Sequence, residues 1–335
     1  SEAVGVRYLR PRSAVQPGRC GRGEGVWWYE PAGKRYLGAV SGVGVCNLGH
    51  AHPAVVRALG EQAARVMHTS NLYRIPGQEK LAARLCEVSG MEKAFFGNSG
   101  AEANEAAIKL ARLHGPPGRY KIITFTGGFH GRTLATTTAT AQPKYHEGLG
   151  PLIAGFHYAP FGDLEAVRSL IDEETCALMV EPIQGEGGVR IPPDGFLEGL
   201  RELADEHELL LIFDEVQTGC GRTGQWFGYQ HFGVTPDVMT LAKSLCGGIA
   251  AGAMLITAEI ALSLRPGMHA ATFGGNPVAS AAGVASLEMI ERENLLENVS
   301  RLADHFQSCF TDLARRWAWV REGRVVGVVV GSELD

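Results

Sequence analysis

The stretch Leu209-Leu-Leu-Ile-Phe213-Asp214-Glu215 decides the fold of this 335-residue chain. Its five apolar residues run without polar alternation, which is typical of a strand in a sheet that is covered on both faces. Similar short runs occur at Ala94–Phe96, Tyr120–Phe125, Ala177–Val180, Val238–Leu241 and Gly252–Ile256. They alternate with helical patterns, such as those at residues 53–67 and 78–89. We therefore predict an α/β fold with a mostly parallel central sheet and helices on both faces.

Two segments flank this core. Val26–Tyr29 and Arg35–Leu37 are short aromatic runs separated by a Pro/Gly turn, which predicts a β-hairpin in a small N-terminal sheet. Two helical patterns run from about 277 to 293 and on to 316, and Arg324–Val330 predicts a strand. We expect the strand-like Val325–Val330 to need neighbouring strands for pairing, with little sequence left after it to supply them.

The composition excludes several classes of protein. The chain is 45% hydrophobic and 20% charged with a net charge of -5, so it carries no basic footprint for nucleic acid, and a small-molecule partner is favoured. No apolar run approaches the roughly 20 residues of a membrane span, and the first residues lack the apolar core of a secretory signal, so we expect a cytoplasmic protein. The seven cysteines contain no C-x-x-C, and no histidine pair has zinc-ligand spacing, so neither disulfides nor a metal site is predicted.

Two residues that follow predicted strands suggest chemistry. Lys243 comes just after Val238–Leu241, where a desolvated lysine would have a lowered pKa and could form an imine with an aldehyde. An isolated lysine at such a place is more often a surface residue. Asp214 ends its apolar strand, where its charge needs a cationic partner such as a protonated pyridine nitrogen, although it could equally cap the following turn.

The loops after two other predicted strands offer binding groups. Ser99 and Glu102 fit a capping box, and Gly100 would let a phosphate approach the free amides of the helix that follows, although most capping boxes bind nothing. Phe129 offers an aromatic face for a planar ring, and Arg132 offers a guanidinium for a carboxylate. For His130, between them, we favour packing or loop hydrogen bonding over catalysis.

Together these motifs resemble the acetylornithine aminotransferases, in the ornithine and GABA aminotransferase group of pyridoxal-phosphate (PLP) enzymes. They occur in family order over essentially the whole chain and are jointly highly specific. The motifs are Asn98-Ser-Gly-Ala-Glu-Ala-Asn-Glu-Ala-Ala-Ile-Lys109, Phe129-His-Gly-Arg-Thr133, Glu181-Pro-Ile-Gln-Gly-Glu-Gly-Gly188, Asp214-Glu-Val-Gln-Thr-Gly-Cys-Gly-Arg-Thr-Gly224, Leu241-Ala-Lys243 and Thr272-Phe-Gly-Gly-Asn-Pro277. The resemblance implies the aspartate aminotransferase-like fold of PLP-dependent transferases. It also implies a cytoplasmic homodimer that transfers an amino group from N-acetylornithine to 2-oxoglutarate in arginine biosynthesis.

The resemblance also implies roles for individual residues. The catalytic residue would be Lys243, which forms a Schiff base with PLP, and the substrate-binding residues would be Arg132, for the donor's α-carboxylate, and Glu186, as a switch that neutralises a second arginine. Thr272 would reach the phosphate of the neighbouring subunit. The remaining cofactor-binding residues would be Ser99, Gly100, Ala101, Phe129, Asp214 for the pyridine nitrogen and Gln217 for the ring hydroxyl.

Three departures from the family pattern bear on these implications. The run after Lys243 is Ser-Leu-Cys246-Gly-Gly-Ile-Ala250 instead of a glycine triplet, and Ala270 replaces a glycine before Thr272. The family pattern also implies a small-domain segment at 1–50, a large PLP-binding domain at 51–285 and the start of a C-terminal small domain at 286–335. We expect that last domain to be truncated and to lack the second substrate arginine, so that this form binds PLP, turns over poorly and exposes an apolar patch.

Alternative functions remain open at this point. The donor could be ornithine, succinylornithine, GABA or a carrier-linked lysine, although Gln217-Thr218 and Val43-Gly44 favour acetylornithine. A catalytically silent PLP-fold binding protein is a second class. A nucleotide-binding Rossmann module is disfavoured, because no G-x-G-x-x-G follows a strand and opens a helix.

Overall fold

The computed structural model of this chain describes residues 20–335. The prediction that no secretory signal precedes the core concerns residues outside that range. The helices are α1 Ser41–Gly44, α2 Pro53–Ala63, α3 Pro76–Ser89, α4 Gly100–His114, α5 Leu134–Ala139, α6 Leu164–Leu170, α7 Phe196–His207, α8 Ala258–Ala261, α9 Pro277–Arg292 and α10 Leu295–Arg316. The strands are β1 Arg22–Glu24, β2 Trp27–Tyr29, β3 Arg35–Leu37, β4 Lys93–Gly97, β5 Lys121–Phe125, β6 Phe156–Ala159, β7 Thr175–Val180, β8 Leu210–Asp214, β9 Val238–Leu241, β10 Gly252–Ile256, β11 Val320–Val326 and β12 Val329–Leu334.

The central sheet has seven strands in the order β4-β10-β9-β8-β7-β5-β6. Strand β10 pairs antiparallel with both of its neighbours, whereas the other pairings are parallel. The predicted mostly parallel sheet is therefore confirmed, and each of the six predicted strands is present. Strand β6 was not predicted, because its residues Phe-His-Tyr-Ala mix polar and apolar side chains at the sheet edge.

Both faces of the sheet are buried, which explains the continuous apolar runs. In β8, Leu211 and Phe213 join a core with α7 and α9, whereas Leu210 and Ile212 join a second core with α4 on the opposite face. Because successive residues of a strand point to opposite faces, most residues of such a strand are apolar, with buried exceptions such as Thr124 and Thr240.

Local signals explain where the helices begin. Ser99 caps α4 by accepting a hydrogen bond from the amide of Glu102, and Asn276 caps α9 by accepting one from the amide of Ala279. Pro277 occupies the first position of α9, where its missing N–H costs nothing. Within residues 20–335, no helix is both long and apolar enough to cross a bilayer.

The flanking segments form two small sheets. The predicted hairpin is confirmed, since β2 and β3 pair antiparallel, and β1 adds a third strand. The prediction of one strand over Arg324–Val330 is wrong, because the chain reverses at Gly327, which has a φ of 60°, and β11 pairs with β12. The expectation that this segment lacks pairing partners is therefore also wrong. The apolar run contains a turn, and the residues on either side of that turn form the two strands of a hairpin.

Candidate active site

The parallel strands bring their carboxyl ends to one edge of the sheet, where a cavity of about 400 Å³ opens. Eight of the ten predicted site residues line it: Ser99, Gly100, Ala101, Phe129, Glu186, Asp214, Gln217 and Lys243. Arg132 and Thr272 do not. The antiparallel direction of β10 brings Gly248–Ala251, which precede it, to the same edge, so the unusual run after Lys243 forms part of the cavity wall.

Lys243 follows β9 and points into the cavity. Burial lowers the pKa of its ammonium, and although the charges of Asp214, Glu186 and Glu181 oppose that shift, burial has the larger effect. Lys243 Nζ contacts Gln217 Oε1. The lysine therefore has the desolvated environment that makes an amine nucleophilic.

The neighbouring Ser244 fixes this part of the chain. Its hydroxyl donates a hydrogen bond of 2.9 Å to the carbonyl of Gly44, which lies in the turn before Val45 on the cavity wall. That turn is strained, since Ser41 and Val43 have φ values of 52° and 63° without being glycines. A side chain at Gly44 would lie 2.8 Å from Gln217 Nε2, so the turn also packs against the residue that contacts Lys243.

Asp214 is buried at the base of the cavity and is held by three donors. Asn104 Nδ2 donates to its Oδ2 at 2.7 Å, and His130 Nδ1 lies 2.8 Å from the same oxygen. The amide of Val216 donates to Oδ1 at 3.0 Å. The carboxylate thus caps the following turn, and it also lines the cavity. Burial opposes protonation of His130, but the hydrogen bond and charge of Asp214 outweigh burial and raise the pKa of His130.

The start of α4 forms another wall of the cavity. Ser99 Oγ accepts from the amide of Glu102 at 3.1 Å, as predicted, but the Glu102 carboxylate bonds the amide and side chain of Asn98 instead of completing the capping box. The Glu102 carboxylate bonds Asn98 because Asn98 offers two donors side by side, its backbone amide and its side-chain Nδ2. A Cβ at Gly100 would lie 2.8 and 2.9 Å from the methyl groups of Val216, so only glycine fits there. The amide of Glu102 is satisfied by Ser99, whereas the amides of Gly100 and Ala101 have no partner in a preceding turn and can receive an anion.

An aromatic wall lies opposite. Tyr145 packs edge-on against Phe129, with ring centroids 5.7 Å apart. The guanidinium of Arg132 lies over both rings, 4.2 Å from the Tyr145 centroid and 5.2 Å from that of Phe129. Arg132 is exposed and stands beside the cavity rather than in its lining.

Thr272 lies in a separate cavity of about 330 Å³, which adjoins the first at Asn98. His269, Ala270 and Phe273 line this second cavity together with Glu102 and Glu105 of α4. Thr272 therefore does not line the Lys243 cavity of its own chain.

Three residues near the cavity were not predicted as site residues. His130 and Asn104 hold Asp214, and Glu181 lines the cavity beside Phe129. Asn104 lies four residues after Gly100, on the same face of the helix. This spacing could have indicated Asn104 as a site residue. Glu181 directly follows an apolar run, as Asp214 does, and this position could have indicated Glu181 as a site residue.

Comparisons with known proteins identify the family of this chain. A family model described as "Aminotransferase class-III" matches residues 11–335. The chain is 52% identical over 323 residues to the acetylornithine aminotransferase of Agrobacterium fabrum, covering 95% of this chain and 81% of that protein. It is 46% identical over 318 residues to the acetylornithine aminotransferase of Methanocaldococcus jannaschii, covering 93% and 80%.

Solved structures match the fold closely. The ornithine aminotransferase of Toxoplasma gondii superposes with a TM-score of 0.94 at 33% identity, covering 98% of this chain and 80% of that one. An (S)-enantioselective omega-transaminase of Thermomicrobium roseum gives a TM-score of 0.92 at 34% identity, covering 98% and 82%. These structures share the fold but carry different names, one an ornithine aminotransferase and the other an omega-transaminase.

Proposed function

Because this chain belongs to the class-III aminotransferase family, we propose that it transfers the terminal amino group of N-acetylornithine to 2-oxoglutarate, in arginine biosynthesis. It is a PLP-dependent transaminase, as its family and relatives are. The observation that carries the proposal is the meeting of Lys243 and Asp214 in one cavity, in a chain whose relatives at 46–52% identity are named acetylornithine aminotransferases. The unpaired cysteines support a reducing, cytoplasmic location.

The residues of the cavity fit PLP. Among residues 20–335 the sole ion-pair partner of Asp214 is His130, so its carboxylate still faces the cavity and suits the protonated nitrogen of a pyridine ring. The free amides after Ser99 suit a phosphate, and Gly100 leaves room for its close approach. We propose that Phe129 stacks on the ring and that Gln217 bonds its hydroxyl.

Bound PLP would supply an electron sink for the substrate carbon that loses a proton. The protein must then provide a base beside that carbon and hold the ring still. We propose that Lys243 would hold the cofactor covalently and that its amine would also move the proton at the substrate carbon, as base and acid. Burial lowers the pKa of the Lys243 ammonium, so it gives up its proton more readily than the ammonium of an exposed lysine does.

Two residues at the cavity rim are proposed to recognise the substrate. Arg132 would bind the α-carboxylate of the amino donor, since its guanidinium lies beside Phe129 and offers a bidentate fork. Glu186 lines the cavity and is exposed, so its charge would discriminate between the amino donor and glutamate.

We expect the purified, PLP-loaded protein to use N-acetylornithine with a higher kcat/KM than ornithine or GABA. The measurement is a steady-state assay of each amine with 2-oxoglutarate.

Arg132→Lys should raise KM for N-acetylornithine about 10-fold with a smaller change in kcat, because a point charge replaces a bidentate contact.

The matched control is Arg168→Lys, which changes an exposed arginine of α6 that pairs with Glu206. This variant should behave as the unchanged protein does. A higher kcat/KM for ornithine or GABA would contradict the proposed donor, and unchanged donor kinetics in Arg132→Lys would remove Arg132 from the site.

We also propose a homodimer in which Thr272 reaches the phosphate bound by the neighbouring subunit. Thr272 lies outside the Lys243 cavity of its own chain. Its loop is tied to Asn71, which donates to the carbonyls of Ala271 and Gly274 at 3.0 Å each. The large apolar side chains that follow Asn71 and Thr272 in the sequence are exposed, Leu72 at 88% and Phe273 at 59%, and exposed apolar side chains favour a protein interface.

The dimer proposal predicts that PLP retention falls on dilution. Monomers would lack the contribution of Thr272, so the apparent PLP affinity should decrease as the protein concentration drops below the dimer dissociation constant. Sedimentation and PLP titration over the same concentration range measure both quantities. A monomer that retains PLP as tightly as the concentrated protein would rule out the shared site.

A further inference from the structure

Glu181 lies at the end of β7 and is almost completely buried, yet it lines the cavity. We propose that Glu181 is a positioning residue that joins the aromatic wall of the cavity to the loop carrying Glu186, one carboxylate oxygen holding each. The inference rests on the proposed assignment of this cavity as the PLP site. It concerns how the walls are held and does not depend on which amine is the donor.

The two oxygens of Glu181 bond different walls. Oε2 accepts a hydrogen bond of 2.9 Å from the amide of Phe129, and Oε1 accepts one of 3.2 Å from the amide of Gly185. Phe129 is the aromatic residue of the cavity, and Gly185 precedes Glu186. A single carboxylate therefore sets the separation of two walls that approach the same cavity from different strands.

Other contacts hold the far side of the Glu186 loop. Backbone bonds of 3.0 Å in both directions join Gln184 and Arg190, and Arg324 of β11 donates to the carbonyl of Gly188 at 3.1 Å. These contacts close the loop but do not reach Phe129. A second tie exists, since Gln184 Nε2 donates to the carbonyl of Thr126 at 3.0 Å, three residues before Phe129. The bonds to Glu181 differ in that one carboxylate accepts from the amide of Phe129 itself and from that of Gly185, next to Glu186.

Glu181 also belongs to a buried group of charges. A side chain at Gly128 would lie 3.4 Å from His130 Nε2 and 3.6 Å from Glu181 Oε2, so the imidazole and carboxylate approach the same point. Asp214 bonds the other ring nitrogen of His130, and Lys243 faces the group across the cavity. The groups that set the protonation of Glu181 are therefore His130, Asp214 and Lys243.

Burial raises the pKa of the Glu181 carboxyl to about 7, and the charge of Asp214 adds to the shift, while His130 and the two amides oppose it. The folded state then binds a proton more readily than the unfolded chain, so this group lowers stability as the pH rises from about 4.5 to about 7. Ionised Glu181 accepts both amide bonds most strongly. We expect its hold on the two walls to weaken as the pH falls through about 7.

The test is the variant Glu181→Gln, prepared as the full chain and titrated with PLP between pH 6 and pH 8.5. An amide has one acceptor oxygen and turns its NH₂ toward one of the two backbone donors, so one wall is released. PLP should bind about 10-fold more weakly than to the unchanged protein at pH 8. The weakening of PLP binding below pH 7 should also be smaller than in the unchanged protein.

Glu215→Gln is the matched control. Glu215 is equally buried, accepts from the amides of Gly228 and Tyr229 at 2.8 and 2.7 Å, and has a pKa raised to about 7 by burial, but it does not line the cavity. It should lose thermal stability and keep the pH dependence of PLP binding. If Glu181→Gln binds PLP as the unchanged protein does, or if the two variants lose PLP binding equally, the proposal is overturned.

A third variant covers the case in which Glu181→Gln does not fold. Glu181→Asp keeps the charge but is one methylene too short to bond both amides. It should bind PLP more weakly and retain the change near pH 7, whereas wild-type affinity would overturn the proposal. Because no amine is present in these titrations, failure of the proposed donor would appear only in the substrate assays.

Discussion

Replacing Lys243 with alanine is expected to abolish transamination and the visible absorption band of the protein-bound cofactor. Lys243 is the lysine that lines the cavity at the strand ends, and its pKa is lowered by burial. Loss of the proton-transfer group alone should cost roughly 100- to 10,000-fold in rate, and loss of the covalent attachment adds to that. The measurements are the steady-state rate and the absorption spectrum before and after borohydride.

Lys80→Ala provides the control for this substitution. Lys80 lies on α3 with its side chain 64% exposed and pairs with Glu288. Removing such a surface pair should change stability by less than about 1 kcal/mol and leave the absorption band intact. A borohydride-sensitive band that persists in Lys243→Ala would show that another lysine carries the cofactor.

Asp214→Asn should reduce turnover by roughly 100-fold or more while keeping the shape of the site. The variant removes the charge that we assign to the pyridine nitrogen. It also places an NH₂ group near the donors of Asn104 and His130, so one hydrogen bond is lost. The measurements are kcat with the preferred amine and the PLP dissociation constant, and both should worsen.

The matched control is Asp163→Asn. Asp163 caps α6 by accepting a hydrogen bond from the amide of Ala166, and asparagine caps a helix about as well. The activity and stability of the Asp163→Asn variant should stay near those of the unchanged protein. Full activity in Asp214→Asn would mean that this carboxylate does not set the reactivity of the cofactor.

Much of the sheet and the cavity could be predicted from the sequence, because both follow from local pattern and one topological rule. Continuous apolar runs locate the strands, and parallel strands place their carboxyl ends together. Residues just beyond those ends, such as Phe129, Asp214 and Lys243, were therefore expected near one another. The structure places all three in the same cavity.

Two kinds of feature could not be predicted: side-chain contacts between residues distant in sequence, and a reversal of the chain inside an apolar run. Asn104 and Asp214 are 110 residues apart, and neither position indicates that their side chains bond. The hairpin of β11 and β12 was mistaken for one strand because its turn contains Gly327 within an unbroken apolar run, and apolar periodicity alone does not show a reversal.

The bond between Ser244 and Gly44 has a consequence for the order of folding. It joins residues 200 positions apart, so it closes a very long loop. Closing such a loop costs entropy that only the surrounding packing can offset, and contacts of this kind form slowly. The pairing of β10 with β4 also joins distant residues, such as Gly252 and Gly97. The cavity is therefore complete only when two long-range steps, assembly of the sheet and docking of the turn at Gly44, have both taken place.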